Sequence, residues 1–319
     1  MAMDHGAPTQ PRVAGDGTGG QRRPSSAVAG YSIMMILAAC SYGALSTVLK
    51  LSYAHGQDVR DMTAAQYDIA FVILWIMSLA RLRRTRFGRS QFLILAAVGL
   101  CGTGSTFAYY YSLTALPASL AIVLLFQFTW MVPVIDMAVR RKWLGVPKWV
   151  GLALILGGTL LAVGVGREAW GHFALWGYVC GLLAGLGYAV QLYLTEYLSA
   201  ESSPIVRSAV IITIASIATA FIAPPTYVFK AAFLPGLLLW GLVAALLGQV
   251  IPMVLISVSI PRIGGRMASV LGAAELPTAV IFAWIVLKEA VTALQWSGVV
   301  LILVGMIVSE VNWPSRASH

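Results

Sequence analysis

The sequence predicts an all-α membrane protein: ten transmembrane helices built as an inverted 5+5 structural repeat, with both termini cytoplasmic. Three observations predict it. The chain is 59% hydrophobic and only 10% charged, with a mean hydropathy of +0.83, whereas a soluble domain carries about 25% charged residues. Its apolar residues fall into ten runs, each close to the roughly 20 residues that a helix needs to cross a bilayer. One segment also recurs. Trp149-Val150-Gly151-Leu152-Ala153-Leu154-Ile155-Leu156-Gly157-Gly158 returns as Trp296-Ser297-Gly298-Val299-Val300-Leu301-Ile302-Leu303-Val304-Gly305, with six of ten positions matched at an offset of 147. The same offset pairs Gly30-Tyr31 with Gly177-Tyr178, and Ala121 with Ala268. Membrane composition inflates chance matches of Leu and Ile. It does not explain paired Trp and Gly at one spacing along the whole chain.

The expected spans cover residues 31–53, 62–80, 91–113, 118–139, 147–166, 173–198, 204–223, 233–257, 266–287 and 293–311. The link at Leu116-Pro117 is so short that spans 3 and 4 form a tight hairpin. Residues 1–28 are polar and rich in Pro, Gly and Arg, and read as a disordered cytoplasmic tail. The first five-helix repeat then occupies 29–167, the second 173–311, and a short cytoplasmic tail 312–319. Arg22-Arg23 before an apolar run, with Leu37-Ala38-Ala39-Cys40, imitates a signal sequence and lipoprotein box. The run continues to Tyr53, however, and nine more spans follow.

Charge sets the orientation. With the N-terminus inside, sixteen Lys and Arg residues lie on the inner side, including Arg81, Arg140, Arg207, Arg262 and Arg266. The outer loops hold four: Arg60, Arg167, Lys230 and Lys288. Such a bias puts the basic loops in the cytoplasm. Five helices per repeat is an odd number, so the second copy enters from the opposite side. The net charge of +9 does not point to nucleic acid, because the basic residues sit in short loops beside apolar runs.

The remaining composition excludes several chemistries. Cys40, Cys101 and Cys180 all lie inside apolar segments, so there is no disulfide framework and no zinc spacing. His5, His55, His172 and His319 lie outside the spans, which removes haem ligation, a His proton relay and a Ser–His protease. No HExxH helix or phosphate-binding Walker loop occurs. No cofactor or metal is expected.

Polar residues inside the spans collect at one depth. Tyr42 is at the middle of span 1, Gln127 and Trp130 of span 4, Tyr188 and Gln191 of span 6, Gln249 of span 8 and Glu275 of span 9. An unsatisfied amide or carboxyl costs several kcal/mol in hydrocarbon, so these groups face one another or a wet cavity. Glu275 is the sharpest of them, as the acid nearest the centre of any span. Pro277 follows it, removing a backbone donor and favouring a kink beside the carboxyl. It reads as a proton carrier or a counter-ion for a substrate amine, or as a neutral carboxyl bonded to a neighbouring helix. Trp130, Tyr42 and Tyr188 read as an aromatic wall or as packing. Asp68 and Asp136 read as caps or partners of interfacial Arg. Lys50 and Glu196, near opposite ends of spans 1 and 6, are gate candidates, with snorkelling the plainer reading for Lys50. Tyr109-Tyr110-Tyr111, Trp149 and Trp296 read as interfacial anchors. Gly177, Gly181 and Gly185, spaced by four, mark a close helix–helix contact.

Ten helices in two five-helix copies, Leu287-Lys288-Glu289 and then Trp296-Ser297-Gly298 through Gly305, together resemble the EamA-like branch of the drug/metabolite transporter superfamily. The resemblance covers residues 30–311. The first copy departs from the pattern, with Lys142 where Glu289 would align. The resemblance implies transport of small polar or amphipathic metabolites, often export. The expected function is a secondary transporter in the cytoplasmic membrane, working by alternating access between the repeats, as an exporter. Proton coupling through Glu275, facilitated diffusion and exchange are all open, and import is a variant of the same reading. A monomer holds the whole site, with a small-molecule substrate and the lipid bilayer as partners. The alternatives are efflux of lipophilic cations, an intramembrane enzyme and a receptor. Proteolysis would need two facing aspartates, and Asp68 and Asp136 sit at opposite membrane levels.

Overall fold

In a hydrocarbon environment each backbone amide must be bonded within its own segment, which leaves helices as the solution for apolar runs of this length. The computed structural model describes residues 25–82, 87–116, 118–141, 143–162, 174–200, 202–229, 236–288 and 291–310, and they are all-helical. In order, the helices are α1 (Ser25–Ala54), α2 (Val59–Leu82), α3 (Arg89–Ala115), α4 (Ala118–Leu125), α5 (Phe128–Arg140), α6 (Val146–Ala162), α7 (Leu175–Thr195), α8 (Pro204–Ile222), α9 (Leu238–Ala245), α10 (Ile251–Ile263), α11 (Gly265–Gly272), α12 (Glu275–Val286) and α13 (Ala293–Glu310). A π-helical turn, Leu246–Val250, joins α9 to α10. Eight stretches are long and apolar enough to cross a membrane, and two further apolar helices, Val146–Ala162 and Ala293–Ser309, are shorter. Pro117, Lys142, Glu289 and the expected tails, apart from residues 25–28 at the start of α1, lie outside the described residues.

Three spans differ from the uniform helices expected. Span 4 is α4 and α5, joined by a tightened turn in which Gln127 N–H bonds the Leu124 carbonyl at 3.2 Å and Thr129 N–H that of Phe126 at 3.1 Å. Span 9 is α11 and α12, with Ala274 N–H on Leu271 at 3.2 Å and Leu276 N–H on Ala273 at 3.3 Å. The two breaks are the same turn displaced by 147 residues. In the second copy the cause is legible. Pro277 has no N–H for the Ala273 carbonyl, and Leu276 supplies one a residue earlier. Span 8 carries its irregularity at 246–250, where Pro252 likewise withholds a donor from Gly248. This span also runs past the expected end at 257 to Ile263, with Pro261 in its last turn.

The repeat is visible as contact symmetry. A Cβ on Gly158 would lie 2.8 Å from the Gly298 oxygen and 2.8 Å from Ile302 N; a Cβ on Gly305 would lie 2.8 Å from the Gly151 oxygen and 2.9 Å from Ile155 N. Adding 147 to 151, 155 and 158 gives 298, 302 and 305. α6 and α13 therefore cross antiparallel about a local two-fold axis, with backbones touching because these positions have no side chain. The other contacts also pair off: α3 packs on α7 as α10 packs on α1, and α4 and α5 pack on α7 as α11 and α12 pack on α1. The glycines of α7 serve the α7 contact. Gly177 meets Ala115 and Leu116, Gly181 meets Leu124, and Gly185 meets the Leu124 and Leu125 carbonyls.

Candidate functional site

A cavity of about 250 Å³ lies between the two copies. Its wall takes residues from α1, α2, α3, α4, α5, α7, α8, α10, α12 and the π turn. Five residues singled out by depth stand on it: Tyr42, Tyr188, Gln191, Gln249 and Glu275. Each is held by a specific close contact. Gly43 lets α1 press on α12: a Cβ there would sit 2.5 Å from the Glu275 carbonyl oxygen and 2.7 Å from the Thr278 Cβ. That contact brings Tyr42 to the level of Glu275. Gly102 makes room for the Gln191 amide, whose Oε1 would lie 2.6 Å from a Cβ at that position. The Tyr188 ring stacks edge-on against Phe128, with centroids 4.7 Å apart and planes at 82°.

Glu275 is the first residue of α12, immediately after the break. Among the described residues no side chain hydrogen-bonds or ion-pairs with its carboxyl. Tyr42 and Tyr188 lie within electrostatic range of it. Among the described residues the wall holds no Lys, Arg or His.

Gln127 and Trp130 stand elsewhere. The Trp130 indole N–H donates to Gln127 Oε1 at 2.8 Å, and Gln127 Nε2 donates to the Val123 carbonyl at 2.9 Å. They satisfy each other beside the break. The α4–α5 segment instead turns Ile122, Leu125 and Phe128 to the cavity. A regular helix through 118–139 would not have had this shift of face, which is why depth along the span does not by itself give the residues that line the cavity.

Other wall residues were not singled out from the sequence. Gln66 and Tyr67 of α2 face the cavity, with Gln66 Nε2 seated against Gly248, at 2.7 Å from a Cβ there. α3 contributes Thr103, Ser105, Thr106 and Tyr109. Tyr109 therefore lines the cavity, whereas Tyr111 is exposed as an interfacial anchor would be. The signal was present as Gly102-Thr103-Gly104-Ser105-Thr106, a polar stretch in mid-span. Such hydroxyls also bond their own helix, as Thr103 does to Gly99 at 2.9 Å, so the sequence pattern is ambiguous.

The cavity wall reaches Leu49 and Tyr109 toward one end of the bundle. The opposite end carries a lattice of charged side chains. Asp136, almost fully buried, pairs with Arg140 at 2.6 Å and with Arg266. Arg140 also pairs with Glu196 and lies 5.8 Å over the Tyr197 ring. Glu196 Oε2 accepts the Gly265 N–H at 2.7 Å. This lattice ties α5, the end of α7 and the start of α11 together. Gly264, at φ +85°, is the backbone hinge that lets α11 begin there. Lys50 is exposed at the other end of the bundle, so the two gate candidates do not meet.

Two residues differ from their expected roles. Asp68 accepts a hydrogen bond from the Tyr227 hydroxyl at 2.8 Å, where a cap or an interfacial Arg was expected. Burial, reinforced by that bond, pushes the Tyr227 hydroxyl upward from its ordinary pKa, so it stays a donor. Arg207, counted above among the cytoplasmic surface charges, is fully buried. Its guanidinium donates to the Ser199 and Ser257 carbonyls. Pro261 explains the second contact: it lacks the N–H that would otherwise serve Ser257 one turn back.

The sequence profile of EamA-like transporters matches residues 30–164 and again 175–310. No curated protein matches the chain significantly. Among solved structures, one crystal structure superimposes with a TM-score of 0.72 over 88% of this chain and 96% of the other, at 17% identity, a likeness of fold alone. With both copies matched across most of its length, this multi-pass membrane protein belongs to the EamA-like transporter family.

Proposed function

We propose that the protein is a secondary transporter that exports a small metabolite or amphipathic compound across the cytoplasmic membrane by alternating access. In this reading all ten apolar helices cross the membrane, the copies are inverted and both termini are cytoplasmic, as the distribution of Lys and Arg favours. Tyr42, Tyr188, Gln191, Gln249 and Glu275 bind substrate, joined by Gln66, Tyr67 and Phe128. Gln127 and Trp130 hold the helix break rather than the substrate. Glu275 couples transport to a proton. The family supports transport as the function, and export is the direction adopted here. One monomer suffices, since both copies are in one chain, and nothing in the site favours catalysis.

The carrying observation is a cavity shared by both copies, holding a carboxyl without a partner among the described residues and with a lattice of ion pairs at one end. A two-fold fold with one end closed can present the same site to the other side by exchanging the conformations of its halves. Under this orientation the lattice of Asp136, Arg140, Glu196 and Arg266 is the cytoplasmic gate. Lys50 takes no part in it.

Cells overproducing the wild type, Glu275→Gln or neither, at matched expression, test the reading through the compounds they release. A compound enriched outside with the wild type and not with Glu275→Gln supports export coupled through Glu275. Equal enrichment by both keeps export and removes the coupling role. No difference from control cells overturns export.

A further inference from the structure

We propose that the substrate is a compact organic cation, an amine whose ammonium sits on Glu275 between Tyr42 and Tyr188, and that anionic metabolites are rejected. The proposal deepens the transport reading and rests on it. Three observations carry it.

The first is charge. Among the described residues the cavity wall holds one acid, Glu275, and no Lys, Arg or His. The cations near the closed end are already engaged, Arg140 and Arg266 by carboxylates and Arg207 by carbonyls. A carboxylate or phosphate entering this space would be desolvated beside Glu275 with no counter-charge, which is strongly unfavourable. An ammonium there meets the opposite situation, a carboxyl among the described residues without a partner. The second is shape. Tyr42 and Tyr188 line the cavity together with Glu275, and Phe128 meets the Tyr188 ring edge-to-face. Aromatic faces attract desolvated cations. The third is size. A cavity of about 250 Å³ falls below the roughly 300–1,000 Å³ of sites that take drug-sized ligands. That disfavours bulky lipophilic cations and favours a small amine. Gln66, Gln191 and Gln249 then offer both donors and acceptors to a neutral polar group on the same molecule.

The test uses the purified full chain and two probes of matched length and opposite charge, 2-phenylethylamine and 3-phenylpropionate. Binding is read by ligand-dependent thermal stability, and transport by exchange into liposomes preloaded with the same probe. The amine is expected to bind at least about tenfold tighter than the anion. Glu275→Gln should lose that preference, and Glu275→Asp should keep it. The melting curve of each unliganded variant verifies folding. Equal or tighter binding of the anion, or no binding of either probe by the folded wild type, overturns the cation site. Exchange of the anion but not the amine also overturns the cation site and leaves transport standing. Amine binding that depends on Glu275 without any exchange keeps the cation site and overturns the transport reading.

Discussion

The two ends of the bundle share a backbone but not a chemistry. Under the 147-residue shift Asp136 corresponds to Ala283, Arg140 to Leu287 and Glu196 to Leu49. Even the left-handed residues correspond: Arg141 at φ 53° and Lys288 at φ 56°. One end is therefore held by a lattice of carboxylates and guanidiniums, and its counterpart offers leucine and alanine at these three places and Ser119 in place of Arg266. Arg207 and Arg60 make the contrast sharper. Arg207 is buried on the Ser257 carbonyl that Pro261 leaves without a donor, whereas Arg60 is exposed. Thr114 stands at the position equivalent to Pro261, so the helix there keeps its N–H. Duplication conserved the helix geometry, because backbone packing at Gly151, Gly158, Gly298 and Gly305 tolerates no side chain. The ends were free to diverge, because closure can be achieved either by ion pairs or by apolar contact.

Six substitutions test this asymmetry. Asp136→Ala removes the carboxylate between two arginines from a nearly dry position, and should cost about 3 kcal/mol, as expected when one partner of a buried pair is lost. Unfolding in detergent measures it. A change at Ala283 to Ser, at the opposite end, should register far less, and equal effects would refute the contrast. Arg207→Met should cost about 1–3 kcal/mol by leaving buried carbonyls without donors. Adding Pro261→Ala returns an N–H to Ser257, and the double variant should recover part of the loss in a mutant cycle. Arg60→Met should stay within about 0.5 kcal/mol. Glu196→Gln should also have a small effect, about 0.5 kcal/mol. Arg140 is 41% exposed on its side chain, so water screens that pair, and the amide oxygen still accepts the Gly265 N–H. A large loss there would mean that Glu196, not Asp136, is the keystone of the lattice.

The sequence was explicit wherever a bilayer leaves little choice. Apolar length specified the helices, and the 147-residue offset specified the duplication whose contacts recur between α6 and α13. Depth along each span also brought Tyr42, Tyr188, Gln191, Gln249 and Glu275 to one level, because polar groups in hydrocarbon must congregate. Depth does not determine direction around a helix. The turn at 126–127 moved Gln127 and Trp130 off the cavity wall and Phe128 onto it. Pro277 signalled the matching turn at 273–274, but no proline marks the break at 126–127, and only the packed structure revealed that one. Gln66 and the hydroxyls of α3 were ambiguous for a related reason: a Ser or Thr in mid-helix can bond its own backbone as readily as a ligand. Pairings between distant segments were also beyond the sequence. Nothing in one dimension distinguishes an arginine that meets headgroups from Arg207, which meets a carbonyl exposed by a proline 54 positions later. Composition and periodicity thus determined what each segment is, since those depend on the segment and its solvent. The tertiary structure decided which groups meet, since that depends on a few hydrogen bonds and close glycine contacts that rotate one helix face against another.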